Sequence, residues 1–134
     1  MNNFLKVTLI GLSLLLSSCK DDAKNDTLKI GKITKIKLDE VVENSQHDLS
    51  LQVKNINDSR CPEGVQCVWE GNASVEFILT TRTESYNFTL DTHTPPNFKN
   101  DTIIEGLKYH LIDVVPYPVF GKEQVKVVKI LVGE

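Results

Sequence analysis

The stretch Ala73-Ser74-Val75-Glu76-Phe77-Ile78-Leu79-Thr80-Thr81-Arg82-Thr83-Glu84-Ser85-Tyr86-Asn87-Phe88-Thr89-Leu90 decides the fold. Val75, Phe77 and Leu79 recur at every second position, and so do Tyr86, Phe88 and Leu90. Successive side chains of a strand point to opposite faces, so this spacing gives each segment one apolar face. The segments 73–80 and 84–90, joined by Thr81-Arg82-Thr83, are expected to form a β-hairpin.

The same pattern extends outward in both directions. Leu49, Leu51 and Val53 alternate cleanly. Tyr109, Leu111, Asp113 and Val115 form another period-two set, with Ile112 and Val114 on the opposite face. Val125, Val127, Ile130 and Val132 fall in a β-branched stretch at the end of the chain. From Leu28 to Leu38 the apolar residues Leu28, Ile30, Ile33, Ile36 and Leu38 slip out of strict alternation, which predicts a bulge near Gly31. Breakers separate the runs: Asn55-Ile56-Asn57-Asp58-Ser59, Thr94-Pro95-Pro96-Asn97 and Pro116-Tyr117-Pro118. No segment of ten or more residues after residue 18 has a helical repeat with caps. The expected fold is all-β: one small antiparallel β-sandwich of about six to eight strands, spanning residues 28–134.

The first residues read differently. After Lys6, Val7 to Leu16 is uncharged and mostly apolar. As a helix it measures about 15 Å, half of a ~30 Å hydrocarbon core, which suits a signal-peptide core better than a membrane span. Leu16-Ser17-Ser18-Cys19 resembles the lipobox of bacterial lipoproteins, and Lys20-Asp21-Asp22 resembles the export signal of Bacteroidetes-type outer-membrane lipoproteins. The resemblance implies a signal peptide over residues 1–18 and acylation of Cys19. It also implies anchoring in the outer membrane, on its outward face, through the N-terminal lipid. Two or more acyl chains would hold such a protein stably. Residues 19–27 then read as a flexible tether without apolar periodicity. Asp26-Thr27-Leu28 and Asp101-Thr102-Ile103 resemble O-glycan acceptor sites of the same class, which implies surface positions for Thr27 and Thr102.

With Cys19 lipidated, the remaining cysteines make a pair. Export brings an oxidising compartment, where a short-range Cys61–Cys67 disulfide closing Cys61-Pro62-Glu63-Gly64-Val65-Gln66-Cys67 is expected. The rivals are a metal pair and a redox pair. The first prefers a spacing of about two to four, the second Cys-x-x-Cys.

The surrounding stretch, Ser59-Arg60-Cys61-Pro62 through Gln66-Cys67-Val68-Trp69-Glu70-Gly71, resembles a signature of small exported bacterial proteins, as does Leu111-Ile112-Asp113-Val114-Val115-Pro116-Tyr117-Pro118. That resemblance implies a compact all-β domain and brings no activity with it. Cys67 and Trp69, two apart, would share one side of a strand and plug the core. Gly71 is expected to permit a bulge or a close backbone approach. The ring is also a candidate presented loop, with Arg60, Glu63, Gly64, Val65 and Trp69 as candidate binding residues. Pro116 to Phe120 reads either as an exposed aromatic surface or as a crossover packed on the sandwich end.

Charge and motifs narrow the function. Fifteen Lys and Arg against eighteen Asp and Glu leave a net charge of −3, which speaks against a nucleic-acid partner. There is no phosphate-binding glycine loop, nucleophile elbow or His-Glu-x-x-His motif. His47, His93 and His110 are far apart in sequence. The expectation is a binding or accessory module at the cell envelope, with a protein or glycan partner, no cofactor, no metal and no catalytic residues. The alternatives are a protease inhibitor acting through the Cys61–Cys67 loop and a metal-carrying or hydrolytic periplasmic protein.

Overall fold

The computed structural model describes residues 27–93, 96 and 98–134. The expected signal peptide, the lipobox-like stretch with Cys19 and the expected tether up to Asp26 lie outside the described residues. Eight strands form two antiparallel four-stranded sheets. They are β1 (Ile33–Lys37), β2 (Val41–Asn44), β3 (Leu49–Asp58), β4 (Ala73–Thr80), β5 (Ser85–Asp91), β6 (Asp101–Ile104), β7 (Leu107–Val115) and β8 (Val127–Gly133). One sheet has the order β2-β3-β4-β5 and the other β1-β8-β7-β6. The expected small all-β sandwich is therefore what the chain builds.

Alternation carries the core. Leu49, Leu51 and Val53 of β3 and Val75, Phe77 and Leu79 of β4 point inward from one sheet. Val128, Ile130 and Val132 of β8 with Tyr109, Leu111 and Val114 of β7 meet them from the other. Phe77 stacks on Phe88 at 5.2 Å between centroids, and Phe88 meets Tyr109 at 5.6 Å. The predicted hairpin forms in register, with Phe77 opposite Phe88 and Thr80 opposite Ser85. Its turn closes through the Thr81 amide donating to the Glu84 carbonyl, so β5 starts one residue later than the pattern suggested.

Three sequence expectations are corrected. Gly31 lies in a turn before β1 at φ +77°, donating its amide to the Val132 carbonyl, and not in a bulged strand. In β7 the register shifts between Leu111 and Asp113. Ile112 stays outward after buried Leu111, and the bulge brings Val114 into the core instead of leaving it on the Ile112 face, so strict alternation through Val115 fails. Val125 stands exposed ahead of β8 and does not continue its pattern.

The two ends of the sandwich differ. At one end lie the short turns 45–48, 81–84 and 105–106 and the point where the N-terminal segment enters. There Leu28 is fully buried, its amide donates to the Glu43 carbonyl, and Asn44 Nδ2 donates to the Leu28 carbonyl. At the other end lie three long connections: 59–72, the described residues of 92–100, and 116–126.

Candidate functional site

The site is built where the β3–β4 connection leaves its sheet. Asp58 pairs with Ala73 in the ladder, and the pairing continues beyond the strands. The Ser59 amide donates to the Asn72 carbonyl at 2.8 Å, and the Cys61 amide donates to the Glu70 carbonyl at 2.6 Å. Gly71 makes this possible. It sits at φ +72°, and a Cβ there would come within 1.9 Å of the Ser59 carbonyl oxygen. The close approach expected of Gly71 is present.

Above this neck the Cys61–Cys67 disulfide closes the ring, with Cα atoms 5.9 Å apart. The ring is pinned to the opposite sheet's β7–β8 connection. The Glu63 amide donates to the Pro118 carbonyl at 2.9 Å, and the Phe120 amide donates to the Glu63 carbonyl at 3.0 Å. Its tip bends at Gly64, φ +93°. Glu63 is therefore an anchoring point as well as part of the ring, while Gly64 and Val65 remain exposed.

A charged lock lies beneath. Arg60 is only 8% exposed. Its Nε and Nη2 donate to the two Asp58 carboxylate oxygens, each at 2.7 Å, and Nη2 also donates to the Val114 carbonyl at 2.7 Å. Asp113 accepts from Nη1 at 3.3 Å, and the guanidinium lies over the Tyr117 ring at 4.7 Å. Lys126 reaches Asp58 at 3.0 Å and donates to the Pro116 carbonyl at 2.7 Å. Burial pushes the Asp58 carboxyl up, but the hydrogen bonds and charges of Arg60 and Lys126 outweigh it and hold it below the ordinary 3.8. The hydrogen bond to Asp58 raises Arg60 above its ordinary value. Arg60 thus joins the β3 end to the β7–β8 connection; it does not stand in the loop as a free binding group.

Trp69 departs furthest from expectation. Residues 67–72 form no strand, so the same-side relation of Cys67 and Trp69 does not apply. The indole is 78% exposed and Val68 93% exposed. Trp69 is a surface residue and not a core plug. Together with Ser59, Glu70, Gly71, Asn72, His93 and Phe98 it lines an open cleft of about 640 Å³. The His93 and Phe98 rings lie 5.3 Å apart, and His93 Nε2 is 3.5 Å from a Glu70 carboxylate oxygen. His93 Nδ1 is shielded from solvent and has no hydrogen-bond partner among the described residues.

The cleft's floor is rigid. Asn72 Nδ2 donates to Asp91 at 2.7 Å and to Ser74 Oγ at 3.0 Å. Its Oδ1 accepts from Thr92 Oγ1 at 3.1 Å and from the His93 amide at 3.2 Å. Ser74 Oγ donates to Asp91 at 2.5 Å, and the Lys99 amide donates to the other Asp91 oxygen at 3.1 Å. Burial raises the Asp91 carboxyl, and the bonds from Ser74, Lys99 and Asn72 bring it below its ordinary value.

Glu70, His93 and Phe98 are cleft residues that pattern reading missed. A signal for His93 existed: the hairpin sets Ser74 opposite Asp91, and two further steps set Asn72 beside His93. The aromatic connection 116–120 divides between its two readings. Tyr117 packs under Arg60, while Phe120 stands 68% exposed beside Gly64. Thr27 is exposed and bridges to Glu43, and Thr102 is half-buried in the edge strand β6, opposite Tyr109. The histidines do not meet: His47 is at the N-terminal-entry end, His93 at the opposite end and His110 within β7. Among the described residues, no group of three or more His, Cys, Asp and Glu is placed to hold a metal ion. Comparison with known proteins finds no matching family model, no matching curated protein and no matching solved structure.

Proposed function

We propose that the protein is a lipid-tethered module of the cell envelope that binds a protein or glycan partner through the end of the sandwich carrying the disulfide ring and Trp69. One observation supports this above the others. Val65, Val68, Trp69, Phe98 and Phe120 are exposed on the three connections at one end, while the chain enters the fold at the opposite end. A cluster of exposed apolar side chains around a braced loop is a common mark of an interaction surface. The ring, the Gly71 neck and the Asn72 network hold that surface rigid, so little conformational freedom is lost on binding. A tether at Cys19 would leave this end turned away from the anchoring membrane. The bent tip at Gly64 fits a contact surface better than a loop inserted as an extended strand into a protease cleft.

The test is site-specific photo-crosslinking in the native cell. A photoreactive side chain is placed at Val65 in one variant and at Glu84, on the opposite end, in another. The expected result is a discrete adduct from position 65 and none from position 84. Equal labelling from both, or none from position 65, contradicts the reading.

A further inference from the structure

We propose that the cleft between Trp69, Glu70, His93 and Phe98 is a subsite for a cationic side chain, the guanidinium or ammonium of a partner polypeptide. This rests on the binding function proposed above and names the chemistry its partner presents.

The inference comes from which hydrogen-bonding groups of the cleft remain unused. Both Asn72 donors are taken by Ser74 and Asp91, and its carbonyl oxygen accepts from Thr92 and the His93 amide. Ser59 Oγ donates to the Asn72 carbonyl at 2.7 Å and accepts from the Asn72 amide at 3.3 Å. Asn72 therefore has no capacity left for a ligand, the shielded His93 Nδ1 offers no solvent-facing site, and Ser59 Oγ keeps a single acceptor lone pair, which also calls for a donor. Glu70 has open capacity. Its carboxylate is almost fully exposed, and among the described residues no Lys or Arg lies within ion-pair distance and His93 Nε2, at 3.5 Å, is its one ion-pair partner. An ionised carboxylate only accepts, so its ligand must donate.

The walls supply the second term. Trp69 is exposed, and Phe98 lies against the His93 ring on the opposing connection. Aromatic faces attract cations through their negative quadrupole, tryptophan most strongly. A neutral sugar would need several donors and acceptors around its hydroxyls, and Asn72, fully used, and Ser59, with one lone pair, cannot provide them. An anion would meet the Glu70 charge. What one open carboxylate among aromatic rings can satisfy is a donor-rich cation of side-chain size, and a guanidinium suits it best because its plane can stack while its edge donates.

The chain contains a single tryptophan, so tryptophan emission, excited selectively over the three tyrosines, reports on this cleft. The full protein, purified in detergent, is titrated with blocked Gly-Arg-Gly and Gly-Lys-Gly peptides. Blocked Gly-Glu-Gly, glucose and N-acetylglucosamine serve as comparisons. The expected result is a saturable change in Trp69 emission with the two basic peptides, stronger for arginine, and none with the others. Calorimetry of Glu70→Gln should show about a tenfold loss of affinity for the arginine peptide, the scale of a charged hydrogen bond. A Glu84→Gln control should show no loss. Because Glu70 and Glu84 side chains are exposed, both variants should keep the wild-type unfolding midpoint. Binding of sugars or the acidic peptide in place of the basic ones overturns the proposal. So does full affinity in Glu70→Gln, or no response to any peptide up to millimolar concentration. Such a failure alongside a discrete crosslink from position 65 removes only the cationic subsite. Loss of that crosslink removes the binding function itself.

Discussion

Arg60 holds Asp58 by two hydrogen bonds of 2.7 Å, and both side chains are buried to the same degree, 8% exposed. The pair sits where β3 ends, and the same guanidinium donates to the Val114 carbonyl on the other sheet. A buried pair is dear to break from one side, because Asp58 is left with the Lys126 ammonium alone and the Val114 carbonyl loses this donor. Arg60→Ala is expected to destabilise the fold by about 3–5 kcal/mol, measured by urea unfolding. Arg60→Lys should recover only part of that, since an ammonium cannot match two carboxylate oxygens and a carbonyl in one plane. Equal stability of Arg60→Lys and wild type would contradict the bidentate role.

Gly71 and Gly31 make a paired comparison. Both have positive φ, but a Cβ at Gly31 meets nothing within 4 Å, whereas at Gly71 it collides with the Ser59 carbonyl. Gly31→Ala should cost about 1–2 kcal/mol, the penalty of the left-handed backbone. Gly71→Ala should cost clearly more, because the β3–β4 neck must open. Thermal unfolding of the two variants side by side checks the order; a smaller loss at Gly71 contradicts the close approach.

Removing the ring tests its energetic part. A loop this short gives about 2.4 kcal/mol in the chain-entropy model. Cys61→Ser with Cys67→Ser should lower stability by roughly that amount and leave the two sheets intact, because no core residue lies inside the ring. Circular dichroism and urea titration together read both outcomes.

Acid should weaken the molecule in a definite window. Asp58 and Asp91 are both held below their ordinary 3.8 in the folded chain. A depressed carboxyl adds stability that is complete above the unfolded value and is lost as the pH falls through the folded value. Stability should therefore be level above about pH 5 and fall below about pH 4. Asp91→Asn should be less stable at neutral pH and show a shallower acid decline. An unfolding midpoint that stays constant down to pH 3 in the wild type contradicts the assignment.

Legibility in the sequence followed how local the governing physics is. The hairpin of β4 and β5 was readable because its apolar faces, turn and register are all set within eighteen residues. The β7 bulge was not, since the shift between Leu111 and Asp113 serves Val114's place in the core and Asp113's bond to Arg60, both long-range. Trp69 misled for a related reason. An apolar residue two after a cysteine looks like a strand neighbour, but the Gly71 neck and the ring hold residues 67–70 out of the sheet. The cleft residues His93 and Phe98 come from a separate connection, brought to Trp69 only by β4–β5 pairing.

The proposed lipid tether and the Cys61–Cys67 disulfide are joined by compartment, since a thiol pair oxidises stably outside the reducing cytosol. The most direct measurement is the intact mass of the protein extracted from its native cells without reductant. The expected species begins at Cys19, carries acyl chains on that residue and has Cys61 and Cys67 refractory to alkylation until reduced. A species that retains Met1 and the leader, without acyl groups and with three alkylatable thiols, would contradict an exported, tethered binding module.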